Sequence, residues 1–476
     1  MIRPLLTTLV IGLSAALPAS ALDDAINEVI DRELAASGVP GVSYAVVVDG
    51  ELGASGARGV ARLGENAPVT ADTPFLTGSI SKSFTALAVM QFVEAGGVEL
   101  DVEISTYLDD FSGQRAGAIT IRQLLSHTSG FSTLQGNAGH TDARGDADEL
   151  ERLVDELADE TPAYEPGTRW EYSNTNYQIL GRLVEVISGR EFQAYVTEHI
   201  LEPIGMSSSF VADGETHDAM VTGHRSWFAT KLPLPETATD RATAPQGGIV
   251  ASANDLARYL QVMINGQDDV LSAEGKAQMM QPSSAASPFY GFGWFLYSSD
   301  GTVSHSGASP GFETLATMIP GENRAVVVLT NGGSGLGFGD TLPLRSGITA
   351  AALGLEDASA GPDWGARALF IGMTLLPMFY LASIGWAWRH RAAIRAKRAA
   401  GFAGLFSLWF PLLTTAVAAW VILGLVPSLI GSPFSTINHF QPDVGLVFIA
   451  AAATGVAWAV LRLGIAYARR GGRAES

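Results

Sequence analysis

Gly78-Ser79-Ile80-Ser81-Lys82-Ser83-Phe84 opens an apolar helical pattern that continues through Leu87, Ala88 and Val89 and stops at Gly96-Gly97. Residues three apart on an α-helix are neighbours, so Lys82 comes within reach of the Ser79 hydroxyl. An amine placed there can take the serine's proton and turn a poor nucleophile into a good one. Ser79 is expected at or near the helix N-terminus, where unpaired N–H groups favour developing negative charge. The chain has four lysines, and only Lys82 has a serine three positions earlier. A pattern this short also arises as a plain surface pair on a helix, so it needs company to carry chemistry.

Two further segments supply it. Tyr172-Ser173-Asn174 follows Tyr164-Glu165-Pro166-Gly167 and precedes a helical stretch from about Asn176. His305-Ser306-Gly307 lies between strand-like runs at Gly301–Ser304 and Thr314–Ile319. A lone tyrosine is by default an amphipathic wall residue, but a phenol beside Lys82 could share its proton and return it to a leaving group. Ser-x-x-Lys, then Tyr-x-Asn, then a basic residue two before Gly is the motif order of the penicillin-recognising serine hydrolases. The chain resembles their β-lactamase-related family, which holds class C β-lactamases, D-alanyl-D-alanine carboxypeptidases and class VIII esterases. Ile121–Phe131, Leu201–Met206 and Gln246–Ser252 support the resemblance, which runs in order from about Leu22 to about Leu355.

The resemblance implies roles. Ser79 would be the nucleophile, Lys82 the general base and Tyr172 its proton shuttle. Asn174 would be a substrate-binding amide that also contacts the lysine, with His305, Gly307 and Ala308 on the facing strand. The N–H groups of Ser79 and Ala308 would form an oxyanion hole, meeting charge that appears in the transition state. His305 departs from the family pattern, which usually has Lys there. An imidazole grips a β-lactam carboxylate less firmly than a permanent cation. Esters or D-amino-acid-type amides and peptides therefore rank above β-lactams as substrates. β-Lactamase activity, or a penicillin-binding sensor that deacylates slowly, remains the alternative, and multiple turnover separates enzyme from sensor.

Gly307-Ala308-Ser309-Pro310-Gly311 matches the G-x-S-x-G nucleophile elbow letter for letter. The residue after an elbow serine must donate its N–H, and Pro310 has none. Ser309 is therefore expected in a turn. There is no cysteine and no H-E-x-x-H, and neither a P-loop nor a dinucleotide fingerprint occurs, so no cofactor or metal is expected. The acidic stretch Asp142–Glu151 lacks EF-hand spacing and reads as a solvated loop and helix start.

Charge divides the chain. Leu22–Ala366 carries 18 basic and 46 acidic residues, whereas Arg367–Ser476 carries 10 and 2. The acidic part excludes a nucleic-acid binder. At the N-terminus Arg3, an apolar run Leu5–Leu17 and Ala19-Ser20-Ala21 read as a signal peptide over residues 1–21. The hydrolase domain is expected over 22–354, a linker over 355–367 and a membrane domain over 368–476, with spans near 368–388, 402–430 and 444–463. The loop Arg389–Arg398 holds five basic residues and the tail after Tyr467 three, while Gly431–Asp443 holds no Lys or Arg. The positive-inside rule then puts the hydrolase in the periplasm or cell exterior and the C-terminus in the cytoplasm. Trp364, Trp386, Trp388 and Tyr467 flank the spans as interface anchors would.

The soluble part mixes strand and helix signals without βα alternation. Tyr44–Val48 before Asp49-Gly50 and Ala325–Leu329 before Asn331-Gly332 read as strands, Asp148–Leu157 and Asn176–Ser188 as helices. The fold class is α+β. The resemblance implies an antiparallel sheet flanked by helices with an inserted helical subdomain and the site between them, followed by three transmembrane helices. A small-molecule or peptide substrate and the lipid bilayer are the expected partners.

Overall fold

The structure is a computed structural model describing residues 19–139, 146, 148–235, 239–357 and 363–468. Most of the expected leader, residues 358–362 of the expected linker and most of the acidic stretch 142–147 lie outside the described residues.

Asp49 and Gly50 both have positive φ, 52° and 82°, the turn geometry that matches the twist of a tight antiparallel hairpin. It joins Gly41–Val48 to Glu51–Gly59. Gly41–Val48 then pairs antiparallel with Arg324–Thr330, Ala45 opposite Val327, so the two ends of the hydrolase domain meet at the sheet's centre. Phe312–Ile319, Thr302–Ser309 and Phe295–Tyr297 complete six antiparallel strands. The expected α+β class with an antiparallel sheet is what folds.

Alternate side chains of a strand point to opposite faces, and here both faces are covered. Val42, Tyr44, Val46, Val326 and Val328 pack on Ile26, Ile30, Leu344 and Ile348 of the terminal helices Ala19–Ser37 and Leu342–Leu353. Ala45, Val47, Val327 and Leu329 join the larger core of the inserted helical part, with Phe84, Leu256 and Leu260. That insertion contains Ser81–Glu94, Asn174–Ser188 and Ala253–Ile264.

Local differences from the sequence reading have simple causes. Ser173 is extended, with φ −141°, and acts as the N-cap, so the following helix starts at Asn174 rather than near Asn176. His305-Ser306-Gly307 lies inside a continuous strand, Thr302–Ser309, because its backbone pairs in register with Thr314–Ala316. Pro310-Gly311 makes the turn between those strands, and Ser309 ends the first of them. The expected linker ends early: Trp364 already opens a helix capped by Asp363.

Three helices long and apolar enough to cross a membrane follow, Trp364–Arg389, Gly401–Leu429 and Pro442–Tyr467. The second widens to a π turn at Val421–Leu425, just before Pro427, whose ring would clash with the carbonyl four residues back in a regular helix. At one end Phe370 packs near Phe228 and Phe338 of the hydrolase domain, ring centroids 6.0 and 6.2 Å away. At the other end lie the basic turns Arg391–Ala396 and Lys397–Ala399, where Arg395 Nε donates to the Ile465 carbonyl at 3.3 Å.

Candidate active site

Thr77 is pinned before the serine by three bonds. Its hydroxyl donates to the Ile249 carbonyl at 2.8 Å, its N–H to the same carbonyl at 2.9 Å, and its own carbonyl accepts from Thr314 Oγ1 at 2.7 Å. Gly78–Ile80 forms a 3₁₀ turn that runs directly into the helix Ser81–Glu94, which puts Ser79 at a helix N-terminus as expected. Gly78 has φ +57°, and a Cβ on it would sit 2.7 Å from the Ala308 nitrogen. A Cβ on Gly307 would sit 1.9 Å from the Thr77 carbonyl oxygen. Gly307 is thus needed for the strand to abut the nucleophile turn. The same packing brings the Ala308 backbone beside that turn.

Lys82 is fully buried. Its Nζ lies 3.2 Å from Ser79 Oγ, 2.8 Å from Asn174 Oδ1 and 2.9 Å from the Gln246 carbonyl oxygen. Burial pushes its pKa well below the usual lysine range, favouring the free amine. A free amine has two N–H bonds and one lone pair. Asn174 Oδ1 and the Gln246 carbonyl can only accept, so they take the two N–H bonds and leave the lone pair for the Ser79 O–H. That is the polarity a general base needs.

Tyr172 lies with its ring 4.8 Å from Lys82 Nζ. Its hydroxyl is buried without a hydrogen bond of ordinary geometry. Burial raises its pKa, and the neighbouring Ser79 hydroxyl offsets part of that rise, so the phenol keeps its proton. Asn174 sits in the first turn of its helix and donates Nδ2 to Asn137 Oδ1 at 3.0 Å.

His305 is buried on the strand. Its Nδ1 lies 2.7 Å from the Ser306 carbonyl, which can only accept, so Nδ1 carries the proton and Nε2 is free to accept from the Tyr290 hydroxyl at 3.2 Å. Burial lowers its pKa to about 3. The imidazole is therefore neutral, and both ring nitrogens are engaged by the protein. His127 also packs on Tyr172, its ring centroid 4.4 Å from the phenol ring. Its Nδ1 accepts from Ser173 N at 3.2 Å, which fixes the proton on Nε2, and its carbonyl accepts from Glu171 N. Burial lowers its pKa well below the usual range.

Residues 26–350 match the beta-lactamase family. The chain belongs to that family. Penicillin-binding protein 4 of Amycolatopsis lactamdurans is 34% identical over 324 residues, 63% of this chain and 83% of that protein. Protein flp of Staphylococcus aureus (strain MW2) is 25% identical over 316 residues, and the match spans 64% of this chain and 62% of flp. The solved structure of EstCE1, described as a hydrolase with promiscuous acyltransferase activity, aligns with a TM-score of 0.61 at 22% identity, over 71% of this chain and 100% of that one, a likeness of fold. The protein is a serine hydrolase of the β-lactamase and penicillin-binding-protein type, with three C-terminal helices long and apolar enough to cross a membrane.

Within this family member, Ser79, Lys82, Tyr172 and Asn174 are brought together around Lys82 Nζ, and the strand carrying His305, Gly307 and Ala308 packs against the Thr77-Gly78 turn beside them. Sequence reasoning missed the Gln246 carbonyl, because a backbone acceptor leaves no side-chain signature even inside a quoted motif. It also missed His127, Asn137 and Tyr290 as members of the site. His127 stood in the supporting segment Ile121–Phe131, but its tie to Ser173 spans 46 residues of chain.

Proposed function

We propose that the protein hydrolyses esters or D-amino-acid-type amides through an acyl-enzyme on Ser79. The observation that carries this reading is the pair of acceptors on Lys82 Nζ, which aims the amine's lone pair at Ser79 Oγ. Ser79 Oγ attacks the substrate carbonyl carbon while its proton passes to Lys82. The oxyanion takes hydrogen bonds from the N–H groups of Ser79 and Ala308. Tyr172, protonated because it is buried, gives its proton to the departing alkoxide or amine and is reprotonated from Lys82. The C–O or C–N bond breaks and the acyl group stays on Ser79. Water then attacks the ester, losing its proton to the same Lys82–Tyr172 pair, and Ser79 Oγ leaves with a proton.

His305 sets the substrate preference. A β-lactam carboxylate calls for a cation on this strand, and this imidazole is neutral with both nitrogens occupied. Esters and peptides thus rank above β-lactams. In this reading residues 1–21 are a cleaved leader, and three spans hold the hydrolase outside the cytoplasm with the C-terminus inside. The position of the basic turns at the bundle end far from the hydrolase domain supports that orientation.

The test is the full chain in detergent against nitrophenyl esters, a D-alanyl dipeptide and a chromogenic cephalosporin, beside Ser79→Ala. Ester or peptide turnover lost in Ser79→Ala is expected, with little cephalosporin hydrolysis. Turnover that survives Ser79→Ala overturns the acyl-enzyme. Cephalosporin turnover matching the ester rate overturns the substrate preference.

A further inference from the structure

The loop between the second and third spans touches the site. Gly431 has φ +68° and lies against Thr133, where a Cβ on it would meet Thr133 Cβ and Cγ2 at 3.0 Å. Thr133 in turn donates its hydroxyl to the Tyr172 carbonyl at 2.7 Å and its N–H to Glu171 Oε1 at 2.9 Å. Asn137, which ends the short helix Thr133–Gly136, is held from the same loop. Its Nδ2 donates to the Gly431 carbonyl at 2.8 Å, and its own carbonyl accepts from Thr436 Oγ1 at 2.8 Å. The loop is itself tied down nearby, with Arg225 Nη1 donating to the His439 carbonyl at 3.1 Å and Gln441 Nε2 to the Ser334 carbonyl at 3.2 Å.

These bonds have a direction. A backbone carbonyl can only accept, so Gly431 requires the amide nitrogen of Asn137 to face it. Asn137 Oδ1 then faces Asn174, which must answer with its nitrogen. Asn174 Oδ1 is thereby turned to Lys82 Nζ. If the Asn174 amide turned over, an N–H would point at the amine and compete with Ser79 for its lone pair. We propose that the segment Gly431–Thr436 of the membrane domain, which runs into the short helix Phe434–Phe440, is part of the active-site scaffold, and that Asn137 is a positioning residue which transmits the polarity of the Gly431 carbonyl to Asn174 and Lys82. The membrane domain then orders the base as well as anchoring the enzyme. This inference rests on Lys82 acting as base for Ser79.

The experiment is a double-mutant cycle on the full chain in detergent or lipid nanodiscs, measuring ester turnover against pH. Asn137→Ala removes the side chain of the relay, and Gly431→Val, strained at φ +68° and crowding Thr133, displaces the carbonyl it answers to; each is expected to cut kcat/KM about tenfold to a hundredfold, the cost of leaving a buried polar group unsatisfied. Combined, they are expected to cost little more than either alone, because they interrupt one path. Asn137→Asp puts a carboxylate near Lys82, which favours the ammonium, so the acidic limb of the pH profile should move to higher pH. Thr436→Val should weaken turnover in the same direction and Thr436→Ser restore it, which covers the case of a misfolded Gly431→Val. Effects that multiply in the double variant, or an unmoved limb in Asn137→Asp, overturn the relay while Ser79 dependence stands. Turnover that persists in Ser79→Ala removes the base reading, and the relay with it.

Discussion

The hydrolase domain and the membrane helices are built from similar apolar residues placed in opposite ways. Phe84, Phe131 and Trp294 are completely buried in the hydrolase core, whereas Phe402 is 85% exposed and Trp364 72%. Among the three long helices, 44% of the most apolar window of Pro442–Tyr467 is buried against 6% for Trp364–Arg389 and 11% for Gly401–Leu429, so the last helix is the one the other two pack on. In water such exposure would be a liability; hydrocarbon removes the penalty and also removes most of the drive for helices to hide from it. Polar groups follow the same division. The hydrolase domain buries Lys82, His127 and His305 and holds each with directed hydrogen bonds. The spans place their charges near the ends, as with Arg462, whose Nη2 reaches the Ser407 carbonyl at 3.1 Å.

Truncating one aromatic in each region is the strongest way to break this contrast. Phe84→Ala empties core space beside Tyr259, whose ring stacks on Phe84 at 3.9 Å, and should cost about 3–5 kcal/mol. Phe402→Ala should leave the unfolding midpoint of the hydrolase domain unchanged. Thermal unfolding of both variants in one detergent checks the pair, and equal losses would mean that Phe402 faces protein.

A second prediction uses the neutral histidines. An imidazole with pKa about 3 when folded and about 6.5 when unfolded is neutral in the native state over that window, while the unfolded state takes up a proton. Stability should therefore be full above pH 6.5 and fall as pH drops toward 3. His305 alone should account for about 2 kcal/mol between pH 7 and pH 5, and His127 should add in the same direction. A His305→Gln variant should flatten the dependence of the unfolding midpoint on pH, and an unchanged slope would assign the loss to other groups.

The sharpest comparison uses glycines. Gly307→Ala places a methyl 1.9 Å from the Thr77 carbonyl and should destabilise by about 1–3 kcal/mol while reducing turnover, because the strand must retreat from Ser79. Gly372 in the first membrane helix has open space around it. Gly372→Ala should change stability by less than about 1 kcal/mol, in the stabilising direction. Unfolding midpoints and ester rates measured side by side decide it, and tolerance of alanine at 307 would mean the strand does not press on the turn.

Much of this protein is legible in its sequence. Ser79, Lys82, Tyr172 and Asn174 are readable because helical spacing and motif order bring chemistry-bearing side chains into short segments. The class of the fold follows from runs such as Tyr44–Val48 and Ala325–Leu329 with their turns, and the membrane helices from uninterrupted apolar length, since both depend on local periodicity. What tertiary structure alone decides is polarity and contact across the chain. The Gln246 carbonyl reaches Lys82 over 164 residues, and Gly431 reaches Asn137 over 294. Both act through backbone carbonyls, which every residue carries and no sequence pattern marks. His305 shows the same limit: its identity is plain in the sequence, but its neutrality follows from burial and from Tyr290 and Ser306 taking both ring nitrogens. Covalent order specifies which groups exist, and only packing sets which of them face one another and how strongly water is excluded between them.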